Sequence, residues 1–192
     1  MDPASLQIPE QFESLRLILR ATRLEDAVAI NRAVQESFAD LKPWMIWAQH
    51  LPTLSESQEH CRDSRERFLA RQEFGLQIRL KSDDTLVGMT GFHQVDWSVP
   101  KLEIGYWGRT GFGGRGYITE AVQCLTRIAF ELFQVNRVEI RMDTLNERSW
   151  RVAERAGFTL EGILRQNERQ PSGELRDTRI YAQVRLADGT LG

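Results

Sequence analysis

The sequence predicts one α/β domain in which helices flank a mixed, mostly antiparallel sheet. Its 192 residues suit a single domain, and no repeat, low-complexity tract or Pro/Gly-rich linker marks a boundary. The predicted strands form hairpins and one strand-helix-strand crossover, which requires both antiparallel and parallel pairs. One predicted helix is strongly amphipathic, as is typical of a helix that covers a sheet. We therefore expect one domain over residues 1–192, with its core at about residues 14–186.

The first half of the chain predicts two helices and four strands. Apolar and basic residues alternate over residues 15–20, which indicates a strand. Residues 22–25 (Thr-Arg-Leu-Glu) have the capping-box pattern and begin a helix that ends near Phe38. Residues 55–58 (Ser-Glu-Ser-Gln) cap a second, polar helix that ends near Gln72. Three further strands are expected at residues 74–80, 85–93 and 102–107.

The second half predicts two helices and three strands. After a glycine-rich stretch, apolar residues recur at three- and four-residue steps and so share one helix face: Ala121, Val122, Leu125, Ile128, Ala129, Leu132 and Phe133. Asn146 caps the last helix, which ends at Gly157. The remaining elements are strands at 137–142, 158–163 and 180–186 and a charged hairpin that turns at residues 171–173.

The composition argues against several classes of function. Lys and Arg number 25 against 27 Asp and Glu, a net charge of −2, so nonspecific nucleic-acid binding is not the main task. No apolar run approaches the roughly 20 residues that a bilayer span needs, and the N-terminus lacks a signal-peptide pattern. The two cysteines, Cys61 and Cys124, fall in predicted helices without the spacing of metal ligands. We expect reduced thiols in a cytoplasmic protein that needs no metal.

A glycine-rich loop lies between a predicted strand and the amphipathic helix. It consists of Gly111, Phe112, Gly113, Gly114, Arg115 and Gly116. At a helix N-terminus, free backbone N–H groups and the positive end of the helix dipole attract an anion, and glycines let a phosphate approach the main chain. Arg115 adds a positive charge. The sequence therefore predicts a phosphate site, and the alternative is a glycine turn without a ligand.

The same loop matches the dinucleotide-binding pattern G-x-G-x-x-G, and Asp143 ends the following strand. In the dinucleotide fold the first glycine follows its strand directly, whereas Gly108, Arg109 and Thr110 intervene here. The loop also lies in mid-chain after hairpin strands, with too few residues left for a second nucleotide-binding half. This context argues against a dehydrogenase.

Motifs on both sides of the loop give a more specific indication. Residues 102–107 (Leu-Glu-Ile-Gly-Tyr-Trp) precede it and residues 115–122 (Arg-Gly-Tyr-Ile-Thr-Glu-Ala-Val) follow, and then come 146–149 (Asn-Glu-Arg-Ser) and 154–162 (Glu-Arg-Ala-Gly-Phe-Thr-Leu-Glu-Gly). In this order they resemble the GNAT superfamily of acetyl-coenzyme A-dependent N-acetyltransferases. They are most similar to the branch that contains bacterial ribosomal-protein N-terminal acetyltransferases. The resemblance covers about residues 14–186 and implies the GNAT fold.

The resemblance implies that backbone amides of the loop bind the diphosphate of coenzyme A. The residues concerned are Gly111, Phe112, Gly113, Gly114, Arg115, Gly116 and Tyr117. The family usually begins this loop with Gln or Arg, so Gly111 removes a side-chain contact but leaves the amide cradle. The strand end at Trp107 and Gly108 would run beside the pantetheine arm. Asn146 would hydrogen-bond that arm, and it can cap the last helix as well.

Direct transfer requires a neutral amine, a stabilised oxyanion and a proton for the departing thiolate. Glu103, Gly105 and Trp107 share one strand face, and Glu103 is the candidate base, acting through a water. The alternative for Glu103 is a strand residue that faces solvent or an arginine. A carboxylate with a pKa of about 4.3 is better matched to an α-amine (about 7.7–8) than to lysine (about 10.4). The resemblance gives Ser149 as the proton donor, because Ala153 stands where many members have a tyrosine. The alternative is a first-turn helix serine.

The acceptor is the least specified part of the site. Trp44 and Trp47 lie in an irregular apolar segment where this branch builds its acceptor pocket, and we expect one of them in the pocket and the other in the core. His93 is an alternative base, although a surface histidine is the simpler interpretation. The branch acetylates protein N-termini, whereas other relatives acetylate antibiotics, amino acids, polyamines or peptide toxins. A noncatalytic coenzyme A sensor is a further alternative. The resemblance implies a homodimer, whereas the balanced charge and the lack of a long apolar run argue against a nucleic-acid or membrane partner.

Overall fold

The computed structural model describes residues 6–192. These residues form one eight-stranded sheet and four α-helices. The strands are β1 (Gln11–Glu13), β2 (Leu17–Ala21), β3 (Phe74–Leu80), β4 (Leu86–Asp96), β5 (Lys101–Gly108), β6 (Arg137–Asp143), β7 (Thr159–Arg169) and β8 (Leu175–Val184). The helices are α1 (Ala27–Leu41), α2 (Leu54–Leu69), α3 (Tyr117–Glu131) and α4 (Glu147–Arg155).

The sheet is mixed, as the order of elements predicts. Its strand order is β1-β2-β3-β4-β5-β6-β8-β7. The pair β5 and β6 runs parallel and is connected through α3, whereas the neighbours on either side of this pair run antiparallel. The predicted fold class of a mostly antiparallel sheet flanked by helices is therefore confirmed.

Two apolar clusters hold the helices on the sheet. In the larger cluster, α3 buries its predicted stripe, including Ala121 and Leu125, against strand residues such as Leu19 and Ile78. The smaller cluster joins α1 and α2 to Met89 of β4. Along β5, Leu102, Ile104 and Tyr106 belong with the larger cluster, and Trp107 packs against the smaller one. Because strand side chains alternate between faces, Glu103 and Gly105 lie on the same face as Trp107.

The starts of the first two helices differ from the prediction. Thr22 does not cap a helix, since its hydroxyl donates to the Gly75 carbonyl oxygen, 3.4 Å away. Instead, Asp26 accepts from the backbone N–H of Arg23 at 2.9 Å, and a short 3-10 turn precedes α1. The second cap uses Thr53 and Glu56, two residues before the predicted pair. Ser-Glu-Ser-Gln and Thr-Leu-Ser-Glu both fit the capping-box pattern, so the local sequence did not choose between them.

The edges of the sheet were also predicted incompletely. Strand β1 was not predicted, because its pairing with β2 rather than its own pattern defines it. The last hairpin turns where predicted, with Gly173 at φ +92°, but β7 continues to Arg169 and β8 begins at Leu175. Most of β7 is exposed at the sheet edge, so its charged residues hide the strand pattern.

Both cysteines lie in helices as free, buried thiols. Burial raises the pKa of the Cys61 thiol to about 11 and also raises that of Cys124, so both are protonated at neutral pH. Within residues 6–192, no three His, Cys, Asp or Glu side chains are grouped so as to hold a metal ion. No helix in this described range combines the length and the apolar character that crossing a bilayer requires.

Candidate active site

A cleft opens where two neighbouring strands diverge. Strands β5 and β6 pair in parallel over Lys101–Glu103 and Arg137–Glu139. Beyond that point β5 follows β4 to Gly108, while β6 follows β8 to Asp143. The main-chain N–H and C=O groups on the facing edges therefore look into a gap. An extended polar chain can pair with such an edge as an added strand does.

A cavity of about 760 Å³ occupies this cleft. Its wall contains six of the residues singled out from the sequence, namely Trp44, Trp47, Glu103, Trp107, Asn146 and Ser149. It also contains all three histidines of the chain, His50, His60 and His93. Gly108, the last residue of β5, and the loop residues 111–117 are not part of this wall. The structure thus gathers the predicted catalytic and acceptor residues around one space and leaves the glycine loop beside it.

Glu103 lies in the cavity wall with only 16% of its side chain exposed. Its Oε2 is 3.7 Å from Nε of Arg141 on β6, and its Oε1 is 3.8 Å from Nε2 of His93 on β4. The alternative of a solvent-facing strand residue is therefore wrong. An arginine does lie near Glu103, but the carboxylate remains in contact with the cavity.

Burial dominates the electrostatics of Glu103. Loss of water around the carboxylate raises its pKa to about 7. The positive charge of Arg141 lowers this pKa, and the negative charge of Glu139 raises it, but both effects are smaller than that of burial. An ordinary glutamate would be a much weaker base, with a pKa of about 4.3. At this raised pKa the carboxylate is poised to take up a proton near neutral pH, as an effective general base must be.

His93 lines the cavity and keeps 38% of its side chain exposed, so it lies in the wall of the site and is also accessible to water. It is the register partner of Glu103 on the adjacent antiparallel strand, which puts the two side chains on one face of the sheet. Gly105 provides the space for the ring, since a Cβ there would lie 2.8 Å from Nε2. Burial lowers the pKa of His93, with Glu73 opposing the shift, and the ring is therefore neutral at neutral pH.

Ser149 is hydrogen-bonded to a residue that the sequence analysis missed, Tyr106. The Tyr106 hydroxyl donates to the Ser149 carbonyl oxygen at 2.9 Å, and Ser149 Oγ donates to the Tyr106 hydroxyl at 3.2 Å. Burial raises the pKa of Tyr106 above its usual range, so the hydroxyl stays protonated. The only signal for Tyr106 in the sequence was a polar hydroxyl on the core-facing side of a strand, where a partner is required.

Asn146 caps α4 and also lies in the cavity wall. Its Oδ1 accepts from the backbone N–H of Ser149 at 3.1 Å, which confirms it as the cap of α4. The same residue lines the cavity. Since capping uses only the carbonyl oxygen, the amide NH₂ keeps two donors for a ligand.

The tryptophans form an aromatic side of the cavity. Trp44 is half-buried and Trp47 is 52% exposed, and both line the space. The ring of Trp47 lies 6.3 Å from that of Trp107, tilted by 54°. The expectation that one of Trp44 and Trp47 is a core residue is wrong, because Ala48 fills the core in this segment.

The glycine loop depends on its backbone conformation. Gly111, Gly114 and Gly116 have φ values of +90°, +74° and +77°, a region that other residues avoid. Gly116 is the N-cap of α3, so the free amides of the first helical turn begin at this point. The guanidinium of Arg115 lies 5.6 Å from the centre of the Phe112 ring, and the ion pairs within residues 6–192 do not include it. The loop therefore offers amides and one positive charge to an anion.

Side chains from distant elements brace both ends of the loop. Arg109 binds Glu36 of α1 through Nε at 2.8 Å, and the hydroxyl of Thr110 donates to Asp40 at 2.7 Å. At the other end, Arg16 donates to the Arg115 carbonyl oxygen at 3.1 Å and pairs with Glu120 at 2.6 Å. No short-range pattern predicts these contacts, because each partner lies far away along the chain.

Comparison with known proteins assigns the chain to a family. Residues 16–159 match the family model described as an acetyltransferase (GNAT) domain. YdaF of Bacillus subtilis (strain 168) is 32% identical over 149 residues, which are 78% of this chain and 81% of YdaF. The ribosomal-protein-serine acetyltransferase of Escherichia coli (strain K12) is 28% identical over 145 residues, 74% of this chain and 80% of that protein.

Solved structures share the whole fold. The microcin C7 self immunity acetyltransferase MccE, in complex with acetyl-CoA and AMP, has a TM-score of 0.86 and 25% identity, covering 94% of this chain and 99% of MccE. RimL, a ribosomal L7/L12 α-N-protein acetyltransferase in complex with coenzyme A, has a TM-score of 0.83 and 25% identity, covering 92% of this chain and 97% of RimL. The chain belongs to the GNAT acetyltransferase family and is an N-acetyltransferase that uses acetyl-CoA as its acetyl donor.

Proposed function

We propose that this acetyltransferase acetylates the N-terminal α-amine of a protein or peptide, by direct attack within a complex of enzyme, acetyl-CoA and acceptor. The observation that carries the proposal is the buried Glu103 on the cavity wall. With a pKa of about 7 it is a suitable base for an α-amine of pKa about 7.7–8 and a poor one for lysine at about 10.4. The similarity to proteins named for ribosomal-protein serine and α-N-protein acetylation supports the same acceptor class.

The glycine loop is proposed to hold the diphosphate of acetyl-CoA. Amides of Gly111, Phe112, Gly113, Gly114, Arg115, Gly116 and Tyr117 would point at its oxygens, with the positive end of the α3 dipole behind them. The pantetheine arm would enter the gap between β5 and β6, beside Trp107 and Gly108. The amide NH₂ of Asn146 would then donate to an arm carbonyl, because its oxygen is already used for capping.

The proposed reaction uses groups on both sides of the cleft. Glu103 removes a proton from the attacking amine through a water, and the nitrogen forms its bond to the thioester carbon. When the carbon–sulfur bond breaks, the Ser149 hydroxyl, which otherwise donates to the Tyr106 hydroxyl, would donate its proton to the thiolate, and Ser149 Oγ would regain a proton from solvent. Ala153 is buried in α4 and has no hydroxyl to donate, so Ser149 is the proposed donor. Trp44 and Trp47 would contact the residue that carries the amine.

Acceptor peptides test this proposal directly. Thiol release would be measured for peptides with a free N-terminal Ser or Ala, for the same peptides blocked at the N-terminus but carrying a free lysine, and for small amines such as spermidine and free amino acids. We expect turnover with the free N-termini. If only the small amines were acetylated, the protein would still be an acetyltransferase, but its acceptor would be a small amine and not an N-terminus.

A binding measurement separates an enzyme from a coenzyme A sensor. Acetyl-CoA at about 100 times its Kd should raise the unfolding free energy by about 2.7 kcal/mol, seen as a shift in Tm. We expect this shift in the wild type and in Glu103→Gln, with turnover about 10²–10⁴-fold slower in Glu103→Gln. Binding with no turnover on any amine would favour the sensor.

We also propose an oligomeric state, a cellular location and a domain extent for this enzyme. We expect a homodimer, which mass measurement in solution would test, and a cytoplasmic protein in which residues 1–192 act as one acetyltransferase domain. Neither a nucleic acid nor a membrane is expected as a partner.

A further inference from the structure

We infer that His93 is a positioning residue that acts through Glu103: its Nε2 accepts the proton that Glu103 has taken from the amine, and its Nδ1–H side passes a proton to solvent. This inference rests on the proposed role of Glu103 as the base. The established family activity requires a base but does not say how the base is reset between turnovers.

The need for a relay follows from the position of Glu103. Its side chain is 16% exposed, and the cavity that it faces would hold acetyl-CoA and acceptor during reaction. A proton taken up there has no short path to bulk water once the cavity is filled. The side chain of His93 lies 3.8 Å from the carboxylate and is 38% exposed, so it is better placed than Glu103 to exchange a proton with water.

The geometry directs the imidazole toward the carboxylate. Nε2 of His93 and Oε1 of Glu103 are 3.8 Å apart, one small rotation or one water from a hydrogen bond. Gly105 lies under the ring, where any Cβ would come within 2.8 Å of Nε2. Directly after His93 the register with β5 shifts, and Gln94 of the cavity wall takes a φ of +50°. Such bulges and strained residues re-aim side chains at functional sites.

The other charged groups around this pair are unsuited to the role. Arg141 holds the second carboxylate oxygen and cannot give up its own proton at neutral pH. Glu73 lies near His93 and is paired with Arg67 of α2, and Arg176 of β8 is paired with Glu168. Burial lowers the pKa of His93, so its ring is neutral near pH 7 and would hold the proton from Glu103 only briefly, in an uphill transfer that release to water completes.

The proton balance of the relay is complete. The amine nitrogen loses one proton to the Glu103 carboxylate, and Glu103 returns it to Nε2 of neutral His93. The imidazolium then releases the Nδ1 proton to water or buffer, and a ring flip or tautomer exchange restores the starting state. This requires the resting tautomer with hydrogen on Nδ1 and a free Nε2.

A double-mutant cycle tests the relay with whichever amine the wild type acetylates. We expect His93→Gln to lower kcat on the order of 10-fold, less than the 10²–10⁴ of a general base itself, with the KM for acetyl-CoA unchanged. Added imidazole should restore part of the rate. In the Glu103→Gln background, His93→Gln should cause no further loss, because the relay has no proton to carry. Equal losses in both backgrounds, or no rescue by imidazole, would overturn the inference.

A second measurement does not depend on the acceptor. Nitrogen-15 spectra of the three imidazoles, assigned with His93→Gln, should show His93 with hydrogen on Nδ1 at pH 7.5, a value chosen above its lowered pKa. Hydrogen on Nε2 would overturn the relay even if the enzyme turns over. If the wild type acetylates no amine, the proposed function fails on that result alone, while the tautomer still decides whether His93 can accept from Glu103.

Discussion

The end of the cleft that contains Glu103, called the base end, depends on its side chains, whereas the glycine loop depends on its backbone. At the base end, Glu103, His93 and Arg141 come from three strands, and their chemistry depends on how deeply the side chains are buried. In the loop, glycines have no side chains, and the backbone conformation presents the amides, with three φ values between +74° and +90°. The contrast teaches that substitutions at the two ends should fail in different ways, the first in the chemical step and the second in donor binding.

The largest effect is expected from Glu103→Gln, which keeps the side-chain shape and removes the base. We expect kcat/KM to fall about 10²–10⁴-fold while the Tm shift with acetyl-CoA persists. Glu139→Gln is the matched control, because Glu139 is the register partner of Glu103 on β6 and is held by Arg137 and Arg141. Similar losses in both variants would contradict a specific role for Glu103.

The pH dependence of the wild type should report the same carboxylate. With a pKa of about 7, Glu103 loses its function as a base when protonated, so kcat/KM should fall about tenfold for each pH unit below 7 and level off above it. Rates must be plotted against the concentration of neutral amine to remove the titration of the acceptor. A profile that stays flat down to pH 5 would contradict the raised pKa.

The loop should respond with donor binding instead. Gly114→Ala penalises the left-handed conformation of the loop by about 1–2 kcal/mol, so the free loop leaves this conformation and acetyl-CoA binding has to restore it. The KM for acetyl-CoA should rise about 5- to 30-fold, with kcat nearly unchanged. Gly173→Ala carries the same backbone penalty in the remote hairpin, at φ +92°, and is the control for strain alone. A rise in KM in both variants would show that general destabilisation, not the loop, is responsible.

The buried charge of Glu103 should lower the free energy of unfolding at high pH. The pKa of Glu103 is about 7 in the folded protein and 4.5 in the unfolded chain, so the folded state binds the proton more tightly. The contribution of this proton to the free energy of unfolding is complete at low pH and is lost as the pH rises toward about 7. Glu103→Gln should therefore stabilise the protein by about 1–2 kcal/mol at pH 8 and much less at pH 5, as measured by urea unfolding. No gain at pH 8 would show that the charged carboxylate is well solvated.

The smallest effect is expected from the two hydroxyls opposite the base. Ser149→Ala removes the hydrogen bond between the two hydroxyls, and Tyr106→Phe removes that bond and the one to the Ser149 carbonyl oxygen. A hydrogen bond contributes about 0.5–1.5 kcal/mol, so we expect kcat to fall about 2- to 12-fold in each variant. A thiolate is a tolerable leaving group, which limits the loss. Val122→Ala, a cavity in the core away from the cleft, serves as a control for lost stability alone. A loss in kcat as large as that of Glu103→Gln would make the hydroxyls the principal catalytic groups.

Some features were predictable because they are local. The stripe of α3, the Asn146 cap and the turn at Gly173 follow from short-range periodicity, hydrogen bonding and φ preference, and the structure has all three. The capping residues of α2 were misplaced because neighbouring residues offered the same pattern, and those of α1 because the Thr22 hydroxyl donates to the Gly75 carbonyl oxygen instead. Strand β1 was missed because its pairing partner defines it.

The sequence by itself determined the order of the elements, the glycine loop and the two faces of β5, since backbone preference and alternation act over a few residues. Only the tertiary structure decided that β5 and β6 separate after Glu103, that His93 lies beside this carboxylate, and that Tyr106 bonds to Ser149. It also decided the pKa of Glu103. Desolvation and charge act through space, between residues that the chain brings together only when the sheet and helices have packed.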